Sequence, residues 1–231
     1  MSTEPKPSTP AAPKPRGKYS AQDKKLANDL SLAEQTILAA LGNAEAAPLL
    51  AEGGYTPEGL QAGLTLQRVA MQAYIARQEA DAGQIVAIRA FKAADKAARS
   101  TYTKLRGFGK SAFMKDAAGR EALGLGGAEP KDQQKFLTAA TALIGQGKKE
   151  PYATKLAKKS VTAAKLDDFA AKLDAWKEAA QMQTDAIEAV PEATAARDAA
   201  AKALFDWLAE YKQFARTQFK NQPAIAKRLL L

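Results

Sequence analysis

The hexapeptide Arg106-Gly107-Phe108-Gly109-Lys110-Ser111 ends as a phosphate-binding loop ends, in Gly-Lys-Ser. Such a loop cradles phosphates with backbone N–H groups and reaches them with its lysine. The full pattern needs a glycine five positions before Gly109 and a strand ahead of the loop. Lys104 stands at that position and the preceding residues have helical periodicity, so the segment reads as a glycine bend within a helix. The 231 residues include no histidine and no cysteine. Ser-His-Asp and Cys-His nucleophiles, zinc sites and the Glu-x-x-His di-iron motif are therefore excluded. An all-carboxylate metal site would need several acids on one inward face. Asp167, Asp168, Asp174, Glu178, Asp185 and Glu188 instead alternate with lysines and read as a solvated face with i,i+4 pairs. We expect no catalytic residue, no cofactor and no metal: a non-enzyme.

The remaining chemistry is charge. Lysine and arginine number 34 against 25 acids, a net +9, and a basic balance bears on partners rather than fold. The densest basic run of the folded part is Lys148, Lys149, Lys155, Lys158, Lys159 and Lys165. A second group, Lys6, Lys14, Arg16 and Lys18, lies in residues 1–19, which are rich in proline, serine and threonine. Such a composition cannot bury enough apolar surface to order itself, and we expect a disordered tail with polyproline II character. Both groups could contact an acidic partner, nucleic acid included, because phosphate contacts dominate nonspecific affinity. Against nucleic acid, no recognised reading motif is present and Tyr152 is the lone aromatic near the run. The alternative for both is ordinary solvated lysine. No apolar run reaches the length of a membrane span, and there is no Sec-type leader; a cytoplasmic protein is expected.

The elements that must position these residues are helices. Leu26, Leu30, Ala33, Ile37, Leu38 and Leu41 recur at helical spacing between Ser20 and Gly42. A short helix is expected over Ala44–Glu52. Thr56-Pro57-Glu58 then starts a helix strongly, since threonine caps, proline suits the first turn and glutamate complements the dipole. Helical register continues for some fifty residues, through Ile75, Ile88, Phe91, Tyr102 and Leu105 to Phe108. The whole pattern then recurs 106 residues later, with no gap. Pro130–Gln146 answers the first helix, Pro151–Lys159 the short one, and Thr162 onward the long one, with Leu166, Phe169, Leu173, Trp176, Ile187 and Leu204 inward. Phe108 falls on Phe214, Phe113 on Phe219, Leu123 on Leu229 and Leu125 on Leu231. Chance predicts roughly 0.13 Phe–Phe matches at one such offset, and there are two.

These observations predict an all-α protein: an elongated helical bundle of two tandem copies of a short–short–long unit, residues 20–125 and 126–231, packed as one domain with approximate two-fold symmetry. The linker is expected at Gly124–Glu129. Phe108, Phe214, Phe113, Phe219, Leu123 and Leu229 are expected in equivalent core positions, and Trp176 and Trp207 as packing anchors. Gly83 and Pro191, near the midpoints, leave two alternatives for each long segment. One is a kinked continuous helix, favoured by the unbroken periodicity; the other is a hairpin, favoured by ordinary helix length.

Gly54-Tyr55-Thr56, Leu123-Gly124-Leu125, Trp207, Phe214, Ala215-Arg216 and Asn221-Gln222-Pro223 resemble a group of uncharacterised bacterial helical tandem-repeat proteins that end in a W…F…AR…QP…L-G-L or L-G-I pattern. The second copy departs from it, with Leu230 in place of the glycine. The resemblance implies bacterial origin and a helical repeat, and brings no activity. The functional expectation is a non-catalytic scaffold or protein-interaction protein, self-associating or bound to a protein partner; the alternative is a basic nucleic-acid-associated protein.

Overall fold

The structure is a computed structural model that describes residues 21–231. The tail over 1–19 and Ser20 lie outside the described residues. Eight α-helices follow in order, with no strand among the described residues: α1 (Ala21–Leu41), α2 (Ala47–Glu52), α3 (Pro57–Ala112), α4 (Ala117–Ala122), α5 (Gln133–Gly147), α6 (Tyr152–Ala157), α7 (Ala163–Gln218) and α8 (Pro223–Arg228). No described helix is long and apolar enough to cross a membrane.

Local chemistry accounts for the helix starts. The Thr56 hydroxyl accepts from the Gly59 N–H at 3.3 Å, and Thr162 repeats this with Lys165 at 3.4 Å. Asp132 caps α5 by accepting from the Lys135 N–H at 2.9 Å, which moves that start three residues beyond Pro130. Asp116 caps α4 in the same way through Gly119 at 2.8 Å. The expected short–short–long plan thus lacks a fourth element: α4 and α8, six residues each, close the two halves. Glycine content disguised α4, because Gly119 within it is a poor helix former and the expected linker begins at Gly124, two residues beyond its end. The chain between α4 and α5 is 123–132.

α3 and α7 are each one helix of 56 residues. No hairpin turns at Gly83 or Pro191, and Pro191 sits inside α7. Alanine and other good helix formers dominate both segments and supply no alternative turn chemistry, so one missing hydrogen bond does not end the helix.

The described residues form two compact units, each drawing on both halves of the sequence. One unit comprises the described residues up to Ala82 together with Val190–Leu231, the other Gly83–Ala189, so the boundary falls inside both long helices. The first unit contains α1, α2, the start of α3, the end of α7 and α8. Its core is built on Leu30, Ile37, Leu50, Leu60, Leu204 and Tyr211. The second contains the end of α3, α4, α5, α6 and the start of α7, around Tyr102, Leu123, Phe136, Leu143, Leu166 and Phe169. Within each unit the α3 and α7 segments run antiparallel: Arg77 bonds Thr194 in the first, Asp95 bonds Trp176 in the second. The reason is length. A helix of 56 residues spans about 84 Å, and the α1 and α2 that precede α3 pack only against its first part. The remainder buries its apolar stripe against α5 and α6, from the other half of the sequence.

Several positions predicted to face inward are exposed, among them Leu38, Ile75 and Ile187.

Candidate functional site

Phe113, Phe219, Leu123 and Leu229 are all buried. Phe108 is not: it is 47 % exposed, and its expected core placement is corrected. Phe214 is half-buried, and the glycine beneath it explains the difference. A Cβ on Gly53 would come within 2.4 Å of the Phe214 ring, so only glycine leaves the ring its seat. The position 106 residues after Gly53 is Lys159, and Phe108 has no such seat.

Four aromatic residues gather in the first unit. Trp207 and Tyr211 stack at 5.8 Å with planes 3° apart, and Tyr55 meets both edge-on at 5.9 and 5.2 Å and Phe214 at 5.5 Å. Gly63 lies under the indole, where a Cβ would approach within 2.3 Å. The Tyr211 hydroxyl is buried with no hydrogen-bond partner. Burial, with Tyr55 adding to it, pushes its pKa up to about 12. This cluster brings Tyr55 together with Trp207 and Phe214, which are far from it in sequence. Trp176, in the second unit, donates its indole N–H to Asp95 at 2.8 Å and is buried.

A set of donors on α3 holds the segment after α4. Arg106, buried, donates from Nη2 to the carbonyls of Gly126 at 3.0 Å and Gly127 at 2.7 Å. Lys110 Nζ adds Gly127 O at 2.9 Å, and the Tyr102 hydroxyl donates to Gly124 O at 3.2 Å. Arg99 donates to Pro130 O at 2.8 Å and covers the Phe136 ring at 4.4 Å. Burial, together with the charges of Arg106 and Arg120, holds the Lys110 pKa below the usual lysine range. Gly109-Lys110 therefore serves a structural contact; the Gly109 Cβ position is filled by Leu125 at 2.7 Å. Sequence reading missed Arg106. Its signal, a lone arginine on the inward side of a helix, is legible only once burial is known.

The basic run divides. Lys148 pairs with Asp167, and Lys155 pairs with Asp116 at 2.9 Å. The bond from the Gly119 N–H, followed by that from Lys155, lowers the Asp116 pKa. Among the described residues, Lys149, Lys158 and Lys159 find no ion pair or side-chain hydrogen bond. Lys6, Lys14, Arg16 and Lys18 lie outside the described residues. No group of histidine, cysteine or carboxylates able to hold a metal ion occurs among the described residues.

Charge is divided by unit rather than by repeat. Residues 83–189 carry 19 basic and 12 acidic side chains, a net +7; the rest of the chain carries 15 and 13, a net +2, of which residues 1–20 supply +3. No protein-family model, no curated protein and no solved structure matches the chain.

Proposed function

We propose that this is a non-catalytic helical scaffold or interaction protein whose residues 83–189 form its docking unit for an acidic partner. The observation that supports it is the +7 held by that unit against +2 for the rest of the chain. Solvated positive charge left unneutralised by the protein attracts polyanions and raises their encounter rate. The exposed apolar side chains Leu32, Leu38, Val69 and Ile75 support self-association through helix faces as a further part of this reading.

A tandem duplication of about 106 residues belongs to the same proposal. Both long helices and both closing helices share their bounds at that offset. Positive φ recurs at it too, Gly54 (82°) with Ser160 (63°) and Gly124 (65°) with Leu230 (56°). Kinship with the bacterial helical tandem-repeat group is supported by the convergence of Tyr55, Trp207 and Phe214.

Retention of the full chain on immobilised heparin and polyaspartate tests the docking reading. Neutralising Lys149, Lys158 and Lys159 should lower the eluting salt concentration. Neutralising Lys212, Lys220 and Lys227 in the other unit should not. Equal effects of the two sets would overturn it. A sedimentation coefficient independent of concentration would remove self-association.

A further inference from the structure

In the first unit Tyr55 lies between Trp207 and Phe214, at 5.9 and 5.5 Å, and all three rings stay partly exposed. Their donors are idle. Among the described residues, neither the Tyr55 hydroxyl nor the Trp207 indole N–H has a hydrogen-bond partner. The other indole, that of Trp176, is taken by Asp95. Glu210 stands three residues after Trp207 and four before Phe214, hence on the same side of α7. It is exposed and has no ion pair or hydrogen bond among the described residues. Burial, and after it the Glu210 charge, raises the Tyr55 pKa, so the carboxylate borders the ring. Lys212 and Arg216, five and nine residues after Trp207, fall on the far side of the helix. The row belongs to this unit alone: the positions 106 residues away are Val161, Thr101 and Phe108, with Lys104 in place of Glu210.

The same unit carries the chain's proline-rich stretch ahead of α1. Residues 7–16 read Pro-Ser-Thr-Pro-Ala-Ala-Pro-Lys-Pro-Arg, with Pro7, Pro10 and Pro13 at every third position. A polyproline II helix has three residues per turn, so these prolines share one side at intervals of about 9 Å. Trp207 and Phe214, seven residues apart, are separated by about 10 Å along α7. A polyproline II backbone has no internal hydrogen bonds, which leaves its carbonyls free to accept from Tyr55 and Trp207. The stretch also reaches. Asp23, at the start of α1, pairs with Arg197 on α7 at 3.2 Å. From Arg197 it is about 15 Å along α7 to Trp207 and about 26 Å to Phe214. From Ala21 back to Pro13 such a chain spans about 25 Å, and to Pro10 about 34 Å. Each proline thus arrives at its ring with slack to pass around α7, and Lys14, next to Pro13, comes within a side chain's length of Glu210.

We propose that Tyr55, Trp207, Glu210 and Phe214 form a seat for a basic polyproline II segment, and that its occupant is the chain's own residues 7–16. The prolines lie on the rings, the idle donors take backbone carbonyls, and Glu210 takes Lys14. Aromatic-lined grooves suit such segments because the ligand is already extended and loses little entropy on docking. The inference stands apart from the docking reading above, which concerns residues 83–189. It makes the tail an internal competitor: a proline-rich segment of another protein would have to displace it from the seat.

The test compares the full chain with a variant carrying Pro7→Ala, Pro10→Ala and Pro13→Ala, which leaves every described helix untouched. Acrylamide quenching of tryptophan fluorescence reads Trp207, since Trp176 is buried. The quenching constant should rise about twofold or more in the variant, because only a polyproline II face covers the rings. An added peptide of residues 1–19 should restore protection in the variant and change nothing in wild type. Trypsin cleavage between Arg16 and Gly17 should be faster in Phe214→Ala, whose tail is unaltered. Circular dichroism checks its fold; if it fails, Glu210→Gln, at an exposed site, should give the same direction. Equal quenching in wild type and the proline variant overturns the proposal. So does protection of wild type by the added peptide, which would show the seat empty. Protection that appears only as protein concentration rises also overturns it, by giving the seat to the tail of a second copy.

Discussion

Leu230 adopts the left-handed backbone of Gly124: their φ angles are 56° and 65°, and they lie 106 residues apart. Glycine takes this conformation freely, whereas a side chain crowds the neighbouring carbonyl at a cost of about 1–2 kcal/mol. Leu230 is substantially exposed, so its side chain returns little burial. Leu230→Gly should therefore stabilise the protein by about 1 kcal/mol in urea denaturation. Gly124→Ala should do the opposite, since its Cβ would also meet the Ala139 carbonyl oxygen at 2.9 Å. A loss of stability in Leu230→Gly would show that the leucine contributes more than its strain costs.

Phenylalanine truncations should separate into three grades. Phe113→Ala empties a fully buried site and should cost about 3–5 kcal/mol. Phe108→Ala, at an exposed site, should fall within about 0.5 kcal/mol of wild type. Phe214→Ala should lie between, because its ring is half-buried over Gly53. Denaturant midpoints for the three variants check the order; a severe loss at Phe108 would contradict its exposure.

Pro191 lies inside an uninterrupted helix. Its missing N–H leaves the carbonyl four residues earlier, that of Ile187, without a helical donor. Pro191→Ala should raise stability, by up to about 3 kcal/mol, less whatever proline contributes by restricting the unfolded chain. A drop in thermal midpoint would mean that the bend at Pro191 is needed by the packing.

The Tyr211 hydroxyl sits buried without a partner. Tyr211→Phe should keep the stack on Trp207 and stabilise by about 1 kcal/mol by removing an unsatisfied polar group. The pKa is raised in the fold, so its contribution is complete below the unfolded value of 10.0 and is lost as pH rises toward about 12. Wild-type stability should decline across that window, and the decline should be shallower in Tyr211→Phe. An alkaline spectrophotometric titration with every tyrosine ionising near pH 10 would contradict this burial.

Helix formation was settled by local sequence. The Thr56 and Thr162 caps, the alanine-rich runs and the 3.6-residue apolar spacing depend on near neighbours alone, so α1, α3 and α7 could be placed from the residues. At Pro191 the residues left a kinked helix and a hairpin both open, and the structure has the continuous helix. Phe113, Phe219, Leu123 and Leu229 stand one residue past α3, α7, α4 and α8, where the recurrence at 106 residues and not helical periodicity marked them; within α3 the apolar stripe runs through Ala98, Tyr102 and Leu105. Phe108 lies off that stripe, and the seat that half-buries Phe214 is made by Gly53, 161 positions away. No local pattern predicts such a contact. Tertiary structure alone decided which half-helix each segment would cover. That choice put the second half of α3 with α5 and α6 and gathered nineteen cations into one unit. Residues 20–125 and 126–231 taken as domains would divide the same charge almost evenly, because electrostatic fields follow proximity in space and not order along the chain.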